Sequence, residues 1–286
     1  MEQYLQADKR GYLHGDFRLF HLKDSRAQQV DYHYHDFDKI VLLLRGKLTY
    51  MVEGVTYFLQ PWDMMLIPRG MIHRPIIDPA EPYERIIIYL GREYLDRRRD
   101  EETPLAECFE TVRERGFHLL RLLPERRVLY MNTLQQMEEA LRSGQEFGAK
   151  RLGDILCQQF LIFLNRDIIA SQTAQEAPES YRVDQKMEEI LQYIAAHLTE
   201  HLSVEELASR FYLSRYYLMH RFKDVTGYTL HQYIAQKRLL LAAELLRQGE
   251  SVTKAAEQAG FREYSTFLRS FRAMFHMSPK EFRARG

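Results

Sequence analysis

Residues 251–282 read SVTKAAEQAGFREYSTFLRSFRAMFHMSPKEF. Val252, Ala255, Ala256 and Ala259 recur at helical spacing and run into Gly260-Phe261; Phe267, Leu268, Phe271 and Phe275 then share one side of a second helix. The spacing predicts helix, tight turn, helix. Gly260 can adopt the positive φ that ends the first helix, and Phe261 folds back into the angle between the two. The other side of the second helix is polar and basic: Arg262, Tyr264, Ser265, Thr266, Arg269 and Arg272. A short amphipathic helix with that outward side suits the major groove of DNA, where side chains near its N-terminus reach base edges.

The same unit occurs once more upstream. Ser203-Val204-Glu205-Glu206-Leu207-Ala208 lies 48 residues before Ser251-Val252-Thr253-Lys254-Ala255-Ala256. Leu218, Phe222 and Lys223 lie 49 before Phe267, Phe271 and Arg272, and Tyr233 lies 49 before Phe282. Matched apolar positions at a nearly constant offset mark an internal repeat. A plain helical bundle with merely solvated outward residues would not need that repetition.

Together with Leu213–Ile234 (LSRYYLMHRFKDVTGYTLHQYI) and the connecting segment Ala235–Gly249 (AQKRLLLAAELLRQG), this stretch resembles the DNA-binding domain of the AraC/XylS family of bacterial transcription regulators. The family's run GF-x5-F-x2-F-x7-P-x2-[YF]-R is followed through Gly260, Phe261, Phe267, Phe271, Pro279, Phe282 and Arg283, with a small departure in spacing between Phe267 and Phe271. The resemblance implies a first recognition helix over Ser214–Asp224, N-capped by Ser214. Tyr216, Met219 and His220 would face the groove and Arg215 would lie near the DNA backbone. In the second helix the matched positions are Arg262, Tyr264, Ser265, Thr266 and Arg269. It further implies an activator that contacts RNA polymerase and acts as a homodimer.

Outward from the repeat, the 286 residues are enough for two domains. Lys and Arg balance Asp and Glu at 40 each, but residues 183–286 carry 15 basic against 12 acidic side chains, a small excess of the sign a phosphate partner requires. Cys108 and Cys157 are too few for a disulfide framework. The longest apolar runs, Ile40–Leu44 and Ile86–Leu90, are far too short to cross a membrane, and the first residues hold no apolar signal segment. A soluble, cytoplasmic protein without a membrane partner is the expectation.

Residues from about 17 to 90 read as short strands, Ile40–Leu44, Leu48–Val52, Thr56–Leu59, Met64–Ile67 and Arg85–Tyr89, punctuated by Arg45-Gly46, Glu53-Gly54, Pro61-Trp62-Asp63 and Pro68-Arg69-Gly70. Such spacing indicates a sandwich or barrel. HYH (33–35), RGKL (45–48), LQPWDMMLIPRGMIH (59–73) and YERIIIYL (83–90) resemble the cupin barrel that precedes the DNA-binding domain in many members of the family. From Pro104 the pattern turns helical: Leu134, Met137 and Leu141 on one helix, then Leu152, Ile155, Leu156, Gln159, Phe160 and Phe163 on another. The resemblance implies a dimer contact there; packing on the barrel is the alternative. Ser171–Tyr181 is polar and without apolar period. The expected architecture is α+β: a cupin-like effector-binding β-barrel over residues 1–103, a helical dimerisation segment over 104–170, a linker over 171–182, and an all-α DNA-binding domain with two helix-turn-helix units over 183–286.

His33, His35 and His73 are the one constellation with metal-ligand chemistry. The metal-binding cupin pattern places a Glu soon after the H-x-H pair; Asp36, Asp38 and Lys39 stand there instead. The resemblance therefore favours the three histidines as polar lining of an effector pocket, with no cofactor, over a metalloenzyme or metal sensor. Tyr50, Trp62, Arg69 and Tyr89 are further candidates for the pocket. Arg69 or Arg74 turned inward would select an acidic ligand and aromatic lining a sugar, so the effector class stays open between sugar and small organic acid. Control by a protein partner, or by redox chemistry at Cys108 and Cys157, is a third possibility.

Overall fold

The computed structural model describes residues 13, 15–24, 30–78, 82–97, 103–171 and 181–285; of the expected linker, residues 172–180 lie outside them. The chain divides into two compact units, residues 1–52 with 56–182, and residues 53–55 with 183–286.

The first unit contains β1 (Phe17–Asp24), β2 (Asp38–Arg45), β3 (Leu48–Val52), β4 (Val55–Leu59), β5 (Asp63–Ile67), β6 (His73–Ile77) and β7 (Tyr83–Leu90). Helices α1 (Arg92–Arg97) and α2 (Glu107–Arg115), strand β8 (Leu119–Arg121), and helices α3 (Pro124–Arg142) and α4 (Ala149–Ala170) follow, then β9 (Tyr181–Val183). The class is α+β as expected, but the strands form two sheets that do not close into a barrel. One has the order β1-β7-β2-β5-β8 and the other β6-β3-β4-β9. Ladders β1/β7, β2/β7, β2/β5, β5/β8 and β3/β6 are antiparallel.

The five-stranded sheet is covered on both faces. Ile40 and Leu42 of β2, Met64 and Leu66 of β5, and Ile86, Ile88 and Leu90 of β7 share one apolar core with Leu134, Met137, Leu156, Phe160 and Leu164 of α3 and α4. These two helices are pinned to each other where Tyr130 and Arg126 donate to Asp167, at 2.7 and 3.0 Å. Strand alternation turns Lys39, Val41, Leu43 and Arg85, Ile87, Tyr89 to the opposite face, in register Lys39↔Tyr89, Val41↔Ile87 and Leu43↔Arg85. Contacts from Lys39 to His73 and Tyr50 of the other sheet identify that face as the interior between the sheets.

The second unit is helical: α5 (Gln185–Ala196), α6 (Val204–Arg210), α7 (Arg215–Thr226), α8 (Leu230–Arg247), α9 (Val252–Gln258), α10 (Tyr264–Phe275) and α11 (Pro279–Arg285). Side-chain caps set the boundaries of the first half. Ser203 and Glu206 cap α6 reciprocally, Ser214 accepts from Tyr217 N, and Thr229 with Gln232 caps α8. The repeat is visible in the cores. Phe222 meets Tyr233 at a ring-centroid distance of 5.3 Å and 86°, and their counterparts Phe271 and Phe282 meet at 5.4 Å and 84°. Leu218, Phe222, Phe267 and Phe271 are all fully buried.

Candidate functional site

Each helix-turn-helix is built by a left-handed residue between its helices. In the first copy Tyr212 has φ 56°, its N–H donates to Ser209 O, and Leu213 N donates to Ala208 O. In the second Gly260 has φ 84°, donates to Glu257 O, and Phe261 N donates to Ala256 O. Gly260 is required for a second reason. A Cβ there would lie 2.8 Å from both Cα and O of Thr199, which follows α5. Arg238 of α8 secures the same junction by donating to Leu198 O and Glu200 O. The second copy therefore sits against the first through backbone, with no room for a side chain. The change of offset from 48 to 49 is located just after this turn. Only Ser214 separates Leu213 from α7, whereas Arg262 and Glu263 both separate Phe261 from α10.

All nine residues expected to meet DNA, Arg215, Tyr216, Met219, His220, Arg262, Tyr264, Ser265, Thr266 and Arg269, are exposed, while Leu218, Phe222, Phe267 and Phe271 anchor the reverse faces. Their settings differ. Arg215 donates to Glu205 of α6 at 3.0 Å. The His220 ring lies 3.9 Å from that of Tyr216, and its Nδ1 donates to Tyr216 O at 2.9 Å. Arg262 and Arg269 form no ion pair among the described residues. The Arg238 guanidinium is held below its ordinary pKa by burial and by Arg262 nearby. Tyr212, 94% exposed, and Tyr217 also face outward. Sequence reading passed over both, although the offset sets Tyr212 opposite Gly260, the one signal that its side chain leaves the core.

In the first unit His33, His35 and His73 come together, with ring centroids 5.0, 4.3 and 5.1 Å apart and one ring nitrogen of each within 4.8 Å of the others. His33 and His73 sit on an isolated backbone bridge. Their Nδ1 atoms donate to Asp31 O (2.7 Å) and Met71 O (2.9 Å), so each Nε2 carries the lone pair. Both stay neutral. Burial, reinforced by Lys39, lowers His33 to about 4 and His73 well below the ordinary range. Tyr50 and Tyr89 join the cluster, 5.9 Å from His73 and 5.8 Å from His35.

Trp62 and Arg69 do not join it. Trp62 takes φ 76° in the β4–β5 turn, packs against the helix-facing core and lies under the Arg127 guanidinium at 5.4 Å. Arg69 serves the buried Asp38, donating its backbone N–H at 2.8 Å and placing Nη1 at 3.7 Å. Arg74 stacks over Tyr32 at 5.5 Å. The cations that do face the interior are Lys39 and Arg85, 5% and 7% exposed, which sequence reading did not single out. Their signal is a charged residue inside DKIVLLLR and YERIIIYL, strands apolar on both faces and hence buried on both.

An AraC-like ligand binding domain model matches residues 18–155 and a helix-turn-helix domain model residues 207–285. The chain belongs to the AraC/XylS family. It is 28% identical to the HTH-type transcriptional activator RhaS of Escherichia fergusonii over 259 residues, 88% of this chain and 86% of that protein. The regulatory protein PocR of Salmonella typhimurium is 36% identical over 101 residues, 35% of this chain and 33% of that protein. Among solved structures, the DNA-binding domain of AdpA in complex with a target DNA is 34% identical, covering 34% of this chain and 89% of that one, with a TM-score of 0.33. This AraC/XylS member is thus a DNA-binding transcription regulator with a ligand-binding N-terminal domain. No described helix is long and apolar enough to cross a membrane.

Proposed function

We propose that the chain is a transcription activator acting in the cytoplasm. In this reading α7 and α10 enter successive major grooves on one side of the duplex, about 34 Å apart, under control of a small molecule held between the two sheets. The observation that carries this reading is the doubled outward face: two cores with matching ring geometry, each presenting an exposed N-terminal helix surface. The 18-residue α8 is about 27 Å long at 1.5 Å per residue, a spacer of suitable length. The interior is a binding pocket rather than a catalytic centre, and the bound activator contacts RNA polymerase at the promoter. Footprinting of a selected operator should protect two adjacent grooves per protomer; protection of one groove, or binding without sequence preference, sinks the reading.

The working form is a homodimer joined through α4. Leu152 and Ile155 are exposed there and continue through Gln159 and Ile162 at the alternating three- and four-residue spacing of a helix-pair seam, with Leu141 of α3 and Phe147 exposed alongside. Ile155→Glu should convert the protein to a monomer in light scattering and weaken binding to paired half-sites more than to one.

A further inference from the structure

We propose that Tyr212 grips the sugar–phosphate strand at the edge of the groove that α7 enters, its hydroxyl donating to a phosphate oxygen and its ring lying against deoxyribose. The inference rests on the DNA-reading geometry above and adds to it a residue outside the recognition helices. Tyr212 occupies the turn between α6 and α7 at φ 56°, where the second copy has Gly260. A tyrosine is strained in that conformation. It is 94% exposed, and its ring and hydroxyl meet no other side chain among the described residues. A strained backbone that holds a large side chain wholly in solvent points to a partner outside the chain.

Its position says which partner. In a helix-turn-helix on DNA the first helix crosses the backbone and the second lies in the groove, so the turn between them passes over the strand at the groove's edge. Only Leu213 and Ser214 separate Tyr212 from Arg215 and the outward face of α7. The patch is continuous with that face: among the described residues, the exposed large apolar side chains of this unit are Tyr212, Tyr216, Tyr217, Met219 and Tyr264. Charge then sets the chemistry of the contact. The arginines around α7 are engaged within the protein, Arg215 with Glu205 at 3.0 Å, Arg221 with Asp184 at 2.7 Å, and Arg210 over the Tyr193 ring at 4.2 Å. Lys223 stands in the last turn of the helix, at the far end from Tyr212. Near the turn a neutral donor is what this half offers a phosphate, and a phenol O–H is one; it makes the contact without releasing a counterion.

Binding of the full chain to a selected operator and to point-mutated operators, titrated with salt for the wild type and Tyr212 variants, tests this. Tyr212→Ala should weaken binding about fivefold on every sequence alike, with the slope of log affinity against log salt unchanged. Tyr212→Phe, which keeps the ring, should lose part of that affinity. Tyr212→Lys should recover affinity with a slope steeper by about 1, because a cation at this place pairs with a phosphate. Matching unfolding midpoints confine each difference to binding. The proposal is overturned if Tyr212→Ala or Tyr212→Phe binds as the wild type does, if the loss is confined to one base pair, or if Tyr212→Lys leaves the slope unchanged. Unchanged DNA binding with lost activation of transcription in Tyr212→Ala would also overturn it and assign the side chain to a protein partner. Footprints of the wild-type chain in the same series report separately on the regulator reading.

Discussion

The two helix-turn-helix units share a core geometry and differ in what they expose. Around α7 the outward side chains are aromatic or thioether, Tyr216, Tyr217 and Met219, with the His220 ring tilted against Tyr216 and Arg215 tied to Glu205. Around α10 they are one aromatic ring, Tyr264, the hydroxyls of Ser265 and Thr266, and the guanidinium groups of Arg262 and Arg269, which form no ion pair among the described residues. The first surface suits contacts with thymine methyls and groove shape, the second hydrogen bonds to base edges and phosphates. The backbone requirements are exchanged as well. The turn has Tyr212 in one copy and Gly260 in the other, and the C-cap of the recognition helix has Gly227 in one and His276 in the other, all four at positive φ. Glycine stands at the turn of the copy that abuts Thr199, and a bulky residue is tolerated at the turn that faces water. Duplication fixed the scaffold, and local crowding then decided where a side chain could be kept.

The largest expected effect tests that crowding. Gly260→Ala combines a positive φ with two backbone contacts at 2.8 Å, so a loss of about 3 kcal/mol is expected in denaturant unfolding. Tyr212→Ala, in open space, should lie within about 0.5 kcal/mol of wild type. Equal losses at the two sites would break the comparison.

Next come the arginines. Arg269→Ala should cost about 1–3 kcal/mol of discrimination at one base pair, whereas a uniform loss across all sequences with a shallower salt dependence would reassign Arg269 to phosphate. Arg215→Ala should cost less than about 1 kcal/mol, because its guanidinium is already engaged by an exposed carboxylate. Glu205→Ala should release Arg215 and tighten operator binding, most visibly at low salt.

The smallest effects concern the left-handed residues that are not glycine. Tyr212→Gly and His276→Gly should each raise stability by up to about 1 kcal/mol by relieving the Cβ penalty at positive φ, measured as a rise in the midpoint of unfolding. Destabilisation by either would mean that its side chain makes a contact worth more than that penalty.

What could be read in advance followed the strength of local patterns. The doubled unit was legible because Leu218/Phe267, Phe222/Phe271 and Tyr233/Phe282 keep their intervals, and β2 through β5 because turns punctuate them. Strand β6 escaped notice because it contains Pro75; it lies at the edge of its sheet, where a missing N–H is tolerated. Strand β8 has three residues, too few to show a period, and β1 mixes His21 and Lys23 into its alternation. In the ligand unit the histidine cluster was legible from H-x-H and a later His, since imidazoles at those spacings have few other reasons to coincide. Trp62 and Arg69 are pocket candidates on residue type alone, because alternation cannot say which face of a sheet meets another sheet and which meets helices. That choice was made by α3 and α4, which took the even-numbered face of β2 and left Lys39 inside.

The rigid seat of Gly260 on Thr199, together with α8 between the halves, constrains how such a regulator can acquire a new operator. Lengthening α8 by one residue would swing the downstream reader by about 100° around the helix axis, off the groove it had occupied. Spacing can change only by whole turns, three or four residues at once, with a new landing place for the glycine each time. Base preference can drift one side chain after another, but the interval between the two sequence elements is inherited as a block.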